Sequence, residues 1–338
     1  MKFLLLLHFF LIISFALAQQ HKTENIIIVT LDGFRWQELF AGADSAILFN
    51  KDFTTDCSTQ EKFWDTSPHA RRENLLPFIW NVIGTKGQLY GNRNFNNRVN
   101  CTNPHWFSYP GYSEMLTGLV DKRIRSNKKI KNPNYTVLEY INNQDEYQGK
   151  VAAFSTWDVI PFIIRAKETG IHSNSGSMLD RTVSVCAGKA LLNGIQEMFS
   201  TPYGDCQDVF TFYFAFQVLK KERPRVLYIS FDETDEQAHG GRYDKYLRAA
   251  YNTDSMIAEL WDWLQNDKQY KDKTTLLLTT DHGRGNISPT SWTKHGRLAL
   301  GSGQIWFAVL GPDTRAHGEM KTDSKYFQKQ FAKTAAHF

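Results

Sequence analysis

Apolar, β-branched runs alternate with stretches of helical periodicity along most of the chain. Unbroken apolar runs of this kind are typical of strands covered on both faces of a sheet. The predicted strands are residues 25–32 (NIIIVTLD), 151–156, 226–232 (VLYISFD), 274–281 (TTLLLTTD) and 305–310. The predicted helices are residues 75–83, 112–117, 185–199, 209–221, 245–263 and 326–337. The alternation favours an α/β fold with a central, mostly parallel sheet flanked by helices on both faces.

The first residues follow a different pattern. Lys2 precedes an apolar run over residues 3–17, which ends in Ala16-Leu17-Ala18. A charged start, a short apolar centre and an Ala-x-Ala site are typical of a secretory signal peptide, and the run is short for a membrane-spanning helix. We therefore predict a signal peptide over residues 1–18, a single domain over 19–338, and an exported protein, periplasmic or secreted, without stable membrane insertion after cleavage. An uncleaved anchor is the alternative.

Composition and charge narrow the classes of function. The chain is 42% hydrophobic and 22% charged, which is ordinary for a globular protein. Its formal net charge of +4 is weak for 338 residues. Nucleic-acid binders usually concentrate more positive charge, so we expect no nucleic-acid partner. The dense basic run lies within residues 122–131, and its default interpretation is a solvated loop.

All four cysteines lie in the part of the chain that export would expose to oxidation. Four thiols allow three pairings, and the sequence does not choose among them. We favour bonds between sequence neighbours. These pairs are Cys57–Cys101 and Cys186–Cys206. No Cys-x-x-Cys spacing is present, which argues against a zinc site built from these cysteines.

Acidic residues end three of the predicted strands, where open α/β sheets place their ligand sites. These acids are Asp32, Asp232 and Asp281. His282 follows Asp281 directly, and His239 follows Asp235 by four residues. Acids in such positions often cap turns or helices. Three endings, two of them with a histidine close by, favour a site for zinc, manganese or a similar divalent ion.

Two further segments carry candidate chemistry. His295 lies in Lys294-His295-Gly296, shortly after the last of these acids. Ser108 precedes a Pro-Gly turn that opens the helix predicted at 112–117. A serine in this position is usually an N-cap. The functional alternative uses the same geometry, because N–H groups at a helix start bind phosphate oxygens and a nearby cation can deprotonate the hydroxyl.

Taken in order, these motifs resemble the alkaline phosphatase superfamily. The order is a strand-ending Asp32, Ser108-Tyr109-Pro110 with Thr117-Gly118, Asp235-x-x-x-His239, Asp281-His282-Gly283 and His295-Gly296. The chain looks most like the nucleotide pyrophosphatase/phosphodiesterase branch and related secreted bacterial members. The resemblance covers residues 25–310, and it implies the α/β fold of that superfamily.

The resemblance also implies two divalent metal ions, zinc in such sites, around a covalent nucleophile. One ion would be held by Asp235, His239 and His295. The other would be held by Asp32, Asp281 and His282, with Ser108 as the nucleophile bound to it. That branch often has threonine at the nucleophile position, so serine is a departure with the same chemistry. Asn127 is the candidate for an asparagine that contacts a phosphoryl oxygen, and Asp232 and Glu233 would support the ligands.

The implied activity is hydrolysis of small-molecule phosphate esters through a phosphoserine intermediate, with diesters slightly favoured over monoesters. Monoesterases commonly add cations around the phosphate, whereas diesterases need an apolar wall. The available cations are Lys128, Arg284, Lys294 and Arg297. The available aromatic residues are Trp36, Trp106, Phe107, Tyr109, Tyr112 and Trp292, and their alternative role is core packing.

Two other classes of function stay open at this point. A sulfatase-like enzyme would mature its nucleophile in a (Cys/Ser)-x-Pro-x-Arg context, but Tyr112 stands where that arginine would be. A non-catalytic, metal-binding exported protein could keep the fold without turnover. The sequence leaves the metal, the physiological substrate and the oligomeric state undetermined.

Overall fold

The computed structural model describes residues 21–175 and 207–338. The strands in these residues are β1 (Asn25–Leu31), β2 (Gln88–Tyr90), β3 (Asn97–Asn100), β4 (Val151–Ser155), β5 (His172–Ser175), β6 (Val226–Phe231), β7 (Thr274–Thr279), β8 (Gln304–Ile305), β9 (Phe307–Leu310), β10 (Gly318–Glu319) and β11 (Ser324–Phe327). Four of the five predicted strands are confirmed as single strands, and the fifth is divided.

The α-helices in the described residues are α1 (Trp36–Ala41), α2 (Ser45–Leu48), α3 (Cys57–Phe63), α4 (Pro68–Leu75), α5 (Gly84–Lys86), α6 (Ser108–Thr117), α7 (Val137–Asn142), α8 (Ile160–Ile163), α9 (Ala166–Thr169), α10 (Asp208–Glu222), α11 (Glu233–His239), α12 (Tyr243–Asn266) and α13 (Gln330–His337). A π-helical turn occupies Ile79–Ile83, and 3₁₀ turns occupy Arg93–Phe95 and Ser291–Thr293. The predicted helix at 185–199 lies outside the described residues.

Within residues 21–175 and 207–338, the main sheet contains eight strands in the order β10-β2-β9-β7-β1-β6-β4-β5. Strand β1 lies between β6 and β7 and is parallel to both. Strand β9 runs antiparallel to β7 and β2, while the remaining pairs are parallel. A smaller sheet has the order β11-β3-β8. The predicted fold class, α/β with a mostly parallel central sheet, is confirmed.

Burial of both faces of the sheet explains the unbroken apolar runs. In β1, Ile27, Val29 and Leu31 join one core, and Ile26 and Ile28 join a second core on the opposite face. Successive side chains of a strand point to opposite faces, so both sets must be apolar. Helices α1, α4, α10 and α12 contribute to the first core, and α6, α7, α8 and α13 contribute to the second.

Several predicted boundaries are wrong for identifiable reasons. The run at 305–310 is two strands because buried Trp306 leaves the ladder and donates from Nε1 to the Phe34 carbonyl at 2.9 Å. The helix predicted at 75–83 is divided at Pro77, which has no N–H to continue it. Asp254 then accepts hydrogen bonds from the N–H groups of Phe78 and Ile79 and starts the π-helical turn.

The helices near Ser108 and the C-terminal end also differ from their predicted starts. Helix α6 begins at Ser108, four residues before its predicted start. The C-terminal helix begins at Gln330 instead of residue 326, because Ser324–Phe327 pairs with β3 in parallel. A strand next to an existing edge satisfies its backbone hydrogen bonds, and that gain outweighs local helical periodicity.

The predicted Cys57–Cys101 bond is wrong. Both cysteines are free: Cys57 is exposed at the start of α3, whereas Cys101 is buried and its Sγ lies 3.5 Å from the Asp281 carbonyl oxygen. Cys186, Cys206 and the predicted signal peptide at 1–18 lie outside the described residues. Among the helices of residues 21–175 and 207–338, none combines the length and apolarity needed to span a membrane.

Candidate active site

The carboxyl ends of three adjacent strands bring the predicted site residues together. Asp32 follows β1, Asp281 follows β7 by two residues, and Asp235 lies in α11 directly after β6. The register pairs Leu31 with Phe231 and Thr30 with Thr279, so the three strands end at the same level. Residues more than 200 positions apart therefore meet at one edge of the sheet.

Asp32, Asp281 and His282 form a fully buried group, which we call the acidic cluster. The Nε2 atom of His282 lies 3.4 Å from Asp32 Oδ1 and 3.4 Å from Asp281 Oδ2. One ligand atom from each of the three residues lies within 4.8 Å of the others. The His282 Nδ1 atom lies 2.9 Å from the Gly283 carbonyl, a contact that assigns the proton to Nδ1 and leaves Nε2 for an ion.

Unpartnered oxygens in the acidic cluster test whether a cation fits. Both carboxylate oxygens of Asp32 and the Oδ2 atom of Asp281 are buried with no hydrogen-bond partner among the described residues. Buried charges of this kind are normally paired or coordinate a metal. The donor set of two carboxylates and one imidazole therefore fits a divalent ion.

Asp235, His239 and His295 form a second group, which we call the histidine cluster. On helix α11, Asp235 and His239 share a face, and His239 Nε2 lies 2.9 Å from Asp235 Oδ2. His295 Nε2 lies 2.9 Å from His239 Nε2 and 3.8 Å from Asp235 Oδ2. The His239 side chain is 51% exposed, so this cluster lies at the mouth of the site.

The two clusters share His282. Its Nε2 atom lies 3.9 Å from Asp235 Oδ1, and its ring stacks on that of His295 with centroids 4.1 Å apart. Asp235, His282 and His295 can also offer one ligand atom each within 4.8 Å. The resemblance assigns His282 to one ion, whereas in the structure it is within reach of both positions.

The electrostatics of the site follow from burial and crowded charge. Burial, followed by the charges of Asp281 and Asp235, raises the pKa of Asp32 well above its ordinary value. Burial and then Asp235 similarly raise the pKa of Asp281. Burial lowers the pKa of His282 well below 6.5 and that of His295 to about 4. Neutral imidazoles next to uncompensated acids are the form that binds a divalent cation.

Asp235 differs from the other two acids. Burial acts to raise its pKa, but the Arg284 guanidinium, followed by the contact with His239, holds that pKa well below the usual range. Arg284 is buried and forms an ion pair with Asp235 Oδ1. The sequence placed Arg284 among the cations available to substrate, and the structure corrects that expectation.

Ser108 lies beside the acidic cluster. It is the first residue of α6, Phe107 occupies the N-cap position, and the buried Ser108 Oγ lies 3.5 Å from His282 Nε2. The alternative role as an N-cap is therefore excluded. A Cβ atom at Gly111 would overlap the Asp281 carbonyl, so glycine allows α6 to approach the strand end this closely.

Asn127 lies next to the same helix start. Its Oδ1 atom accepts a hydrogen bond of 2.9 Å from the Tyr109 N–H, and the Tyr109 hydroxyl donates to the Ile130 carbonyl at 2.6 Å. The basic segment 122–131 is therefore docked on α6 and is more than a solvated loop. Because the Tyr109 N–H is used and Pro110 has none, these two positions offer no N–H group to a phosphate, contrary to the expectation for this helix start.

Asp232 and Glu233 begin α11 next to an acid that the sequence analysis missed. Asp208 accepts hydrogen bonds from the N–H groups of Asp232, at 2.9 Å, and Glu233, at 3.1 Å. Burial, followed by the charge of Glu233, raises the pKa of Asp208 to about 8. Asp208 thus fixes the start of the helix that carries Asp235 and His239. Only its position at the start of a predicted helix could have suggested this role.

The aromatic residues of the motif segments divide into two groups. Trp292, Tyr109 and Tyr112 are at most 3% exposed and belong to the core. Trp36, Trp106 and Phe107 are partly exposed. Core packing is therefore the role of the first group, and only the second group can form a wall for a substrate.

Comparison with solved structures shows which class of protein has this fold. The lipoteichoic acid synthase LtaP from Listeria monocytogenes matches with a TM-score of 0.56 and 11% identity, over 91% of this chain and 70% of that one. An alkaline phosphatase superfamily protein from Vibrio parahaemolyticus matches with a TM-score of 0.50 and 12% identity, over 93% and 65% of the two chains. The fold is that of the alkaline phosphatase superfamily.

Murine ectonucleotide pyrophosphatase/phosphodiesterase 5, solved as an inactive variant in complex with AMP, matches with a TM-score of 0.51 and 12% identity, over 93% of this chain and 94% of that one. The sequence profile described as type I phosphodiesterase / nucleotide pyrophosphatase matches residues 48–330. The chain belongs to this family and is a phosphoric ester hydrolase. No curated protein matches its sequence. The predicted superfamily, branch and enzyme class are confirmed.

Proposed function

We propose that this protein is an exported, metal-dependent phosphohydrolase that cleaves phosphate esters, diesters in preference to monoesters, through a phosphoserine on Ser108. Two divalent ions, zinc being the best fit, would be held by the acidic cluster and the histidine cluster. The observation that carries the proposal is that His282 belongs to both candidate metal-binding groups and that its Nε2 atom lies 3.5 Å from Ser108 Oγ. Beside it, three buried carboxylate oxygens have no hydrogen-bond partner among the described residues.

Ser108 is positioned to act as the nucleophile. When bound, the ions would lower the pKa of its hydroxyl and neutralise charge on the phosphoryl group. The Ser108 hydroxyl releases its proton to water, and the bond from Ser108 Oγ to phosphorus forms as the bond to the departing alcohol oxygen breaks. The departing alcohol oxygen takes up a proton from water. Water then displaces the Ser108 oxygen from phosphorus, which restores the hydroxyl and releases the phosphate product.

Asn127 is positioned to bind a phosphoryl oxygen. Its Oδ1 atom is fixed by the Tyr109 N–H, which leaves the Nδ2 amino group as a donor beside Ser108. A fixed donor of this kind stabilises charge without reorganising during the reaction.

The preference for diesters is supported by what surrounds the site. Arg284 is buried and paired with Asp235, so it is not free to neutralise the second charge of a monoester. The partly exposed rings of Trp106 and Phe107 lie in the segment that leads into Ser108 and can contact a second substituent. A small-molecule phosphate ester is therefore the expected substrate.

The proposed protein has one catalytic domain and is exported. Strands from both ends of the chain interleave in one sheet, with β1 beside β7 and β2 beside β9, which supports a single catalytic domain over residues 19–338. The charged start and apolar run of residues 1–18 support export by a signal peptide.

The decisive assay uses zinc-loaded protein with three p-nitrophenyl substrates: the phosphate monoester, the bis-phosphodiester and the sulfate ester. We expect turnover of the diester to exceed that of the monoester and the sulfate ester to be a poor substrate.

Ser108→Ala should lower activity by about 10³-fold or more while zinc content is retained. Ser113→Ala, which removes another buried hydroxyl of α6, should stay close to wild type. Turnover of neither phosphate ester, or an active Ser108→Ala variant, would refute the proposal.

A further inference from the structure

Arg284 connects the two segments that supply the histidine cluster. Its Nε donates to the Trp292 carbonyl at 2.6 Å and its Nη2 donates to the Thr293 carbonyl at 2.7 Å, while Nη1 pairs with Asp235 Oδ1. The Arg284 side chain is 0% exposed. A buried arginine therefore joins helix α11 to the turn that precedes His295.

The space for this ion pair is provided by Gly33. A Cβ atom at this position would overlap Asp235 Oδ1 and would lie 2.9 Å from Arg284 Nη1. Gly33 also has a φ of +58°, which favours glycine. The backbone after β1 therefore accommodates the contact between Asp235 and Arg284.

The two clusters differ in their number of carboxylates, and the ion pair enlarges the resulting difference in charge. The acidic cluster has two buried carboxylates, Asp32 and Asp281, and three of their oxygens have no hydrogen-bond partner among the described residues. The histidine cluster has one carboxylate, Asp235, and Arg284 already neutralises it. Asp235 Oδ1 is occupied by Arg284, which leaves Oδ2 to face His239 and His295.

We propose that Arg284 is a positioning residue that acts as an internal counter-ion for Asp235 and widens the difference in metal affinity between the two clusters. The acidic cluster holds its divalent ion tightly, whereas the histidine cluster holds its ion weakly and exchanges it. Arg284 keeps the histidine cluster folded when its ion is absent, because Asp235 then still has a charged partner. This inference rests on the two-cation site of the proposed function.

The first test is titration of chelator-treated protein with Zn²⁺ alone, followed by calorimetry and a competing chromophoric chelator. We expect two binding steps whose affinities differ by roughly tenfold or more, the scale on which groups bonded to metal ligands change metal affinity. Asp281→Asn should remove the tight step and His239→Ala the weak one. Two steps of equal affinity, or the opposite assignment, would overturn the inference and leave the proposed function standing. No zinc binding in either cluster would refute the proposed function itself.

The second test changes Arg284. Arg284→Met removes the charge at similar length, so we expect the weak step to tighten by roughly tenfold while the tight step is unchanged. Arg284→Lys keeps the charge and loses the paired hydrogen-bond geometry, so zinc binding in the weak step should stay weak. Weaker zinc binding in that step in Arg284→Met, or tighter binding in Arg284→Lys, would contradict the counter-ion role.

Thermal unfolding supplies a readout that is independent of activity. Metal-free Arg284→Met should unfold at a lower temperature than wild type, because buried Asp235 loses its counter-ion. Saturating Zn²⁺ should remove most of that difference. A zinc-independent loss of stability would show that Arg284 has only a structural role. If Arg284→Met does not fold, the wild-type and Arg284→Lys titrations still decide the inference.

Discussion

The acidic cluster and the histidine cluster use the same kinds of side chain in different surroundings. The first lies at the ends of adjacent strands, fully buried, with carboxylates that have no cationic partner among the described residues. The second lies on a short helix and a loop, with His239 half exposed and Asp235 paired with Arg284. Ligand identity is therefore not sufficient to predict how a position binds metal, because burial and neighbouring charge differ.

The largest expected difference in zinc content and activity is between alanine variants of His282 and His239. His282 is buried and reaches both clusters, so His282→Ala should lose most bound zinc and about 10³-fold or more of diesterase activity. His239→Ala should lose one ion and less activity, because His239 contacts only the histidine cluster among the described ligands. Zinc content by mass spectrometry, measured beside activity, checks the comparison. Equal losses in both variants would contradict it.

Glycine substitutions distinguish a tight region from an open one. Gly111→Ala places a Cβ against the Asp281 carbonyl and should displace Ser108, lowering kcat about 10²-fold. Gly240→Ala is the matched control, since its Cβ would meet only ordinary contacts of 3.6 Å or more at the end of α11. Initial rates with the diester measure both. A Gly111→Ala enzyme as fast as the control would show that this close approach is not needed.

A smaller effect is expected at Asn127, which lies beside Ser108 but outside both clusters. Asn127→Ala should lower kcat/KM about tenfold, the scale of one hydrogen bond to a charged group, without changing zinc content. Asn127→Asp should be worse, because it brings negative charge towards the phosphate. Unchanged kinetics in both variants would remove Asn127 from the site.

The smallest effect on activity is expected at Asp254, where we predict a change in stability alone. Burial raises the pKa of Asp254 to about 7. The folded state therefore binds this proton more tightly than the unfolded state, in which the pKa of Asp254 is its ordinary 3.8. The contribution of Asp254 to stability is complete below the unfolded pKa and is lost as the pH rises through the folded pKa of about 7. Asp254→Asn should remove that part of the pH dependence with or without zinc. Thermal unfolding from pH 4 to 8 measures it, and a zinc-dependent slope for Asp254 would contradict the assignment to a site outside the clusters.

Some features of this protein were determined by sequence pattern alone. A run such as residues 25–32 is apolar at every position because both faces of the strand are buried, so strand and fold class could be predicted from hydrophobicity. Asp32, Asp281 and His282 could be nominated because they follow such runs, and parallel strands align their carboxyl ends. The order of the motifs then gave the family.

Other features were decided only by tertiary structure, because they depend on partners distant in the chain. The pairing of Arg284 with Asp235, the hydrogen bonds from α11 to Asp208, and the separation of Cys57 from Cys101 join or divide residues with no local signal. The same holds for Trp306, whose contact with Phe34 splits a predicted strand. Hydrophobic periodicity indicates which face of an element is buried, but not which charged or hydrogen-bonding residue that face contacts. Those contacts are what distinguish the charge of the histidine cluster from that of the acidic cluster.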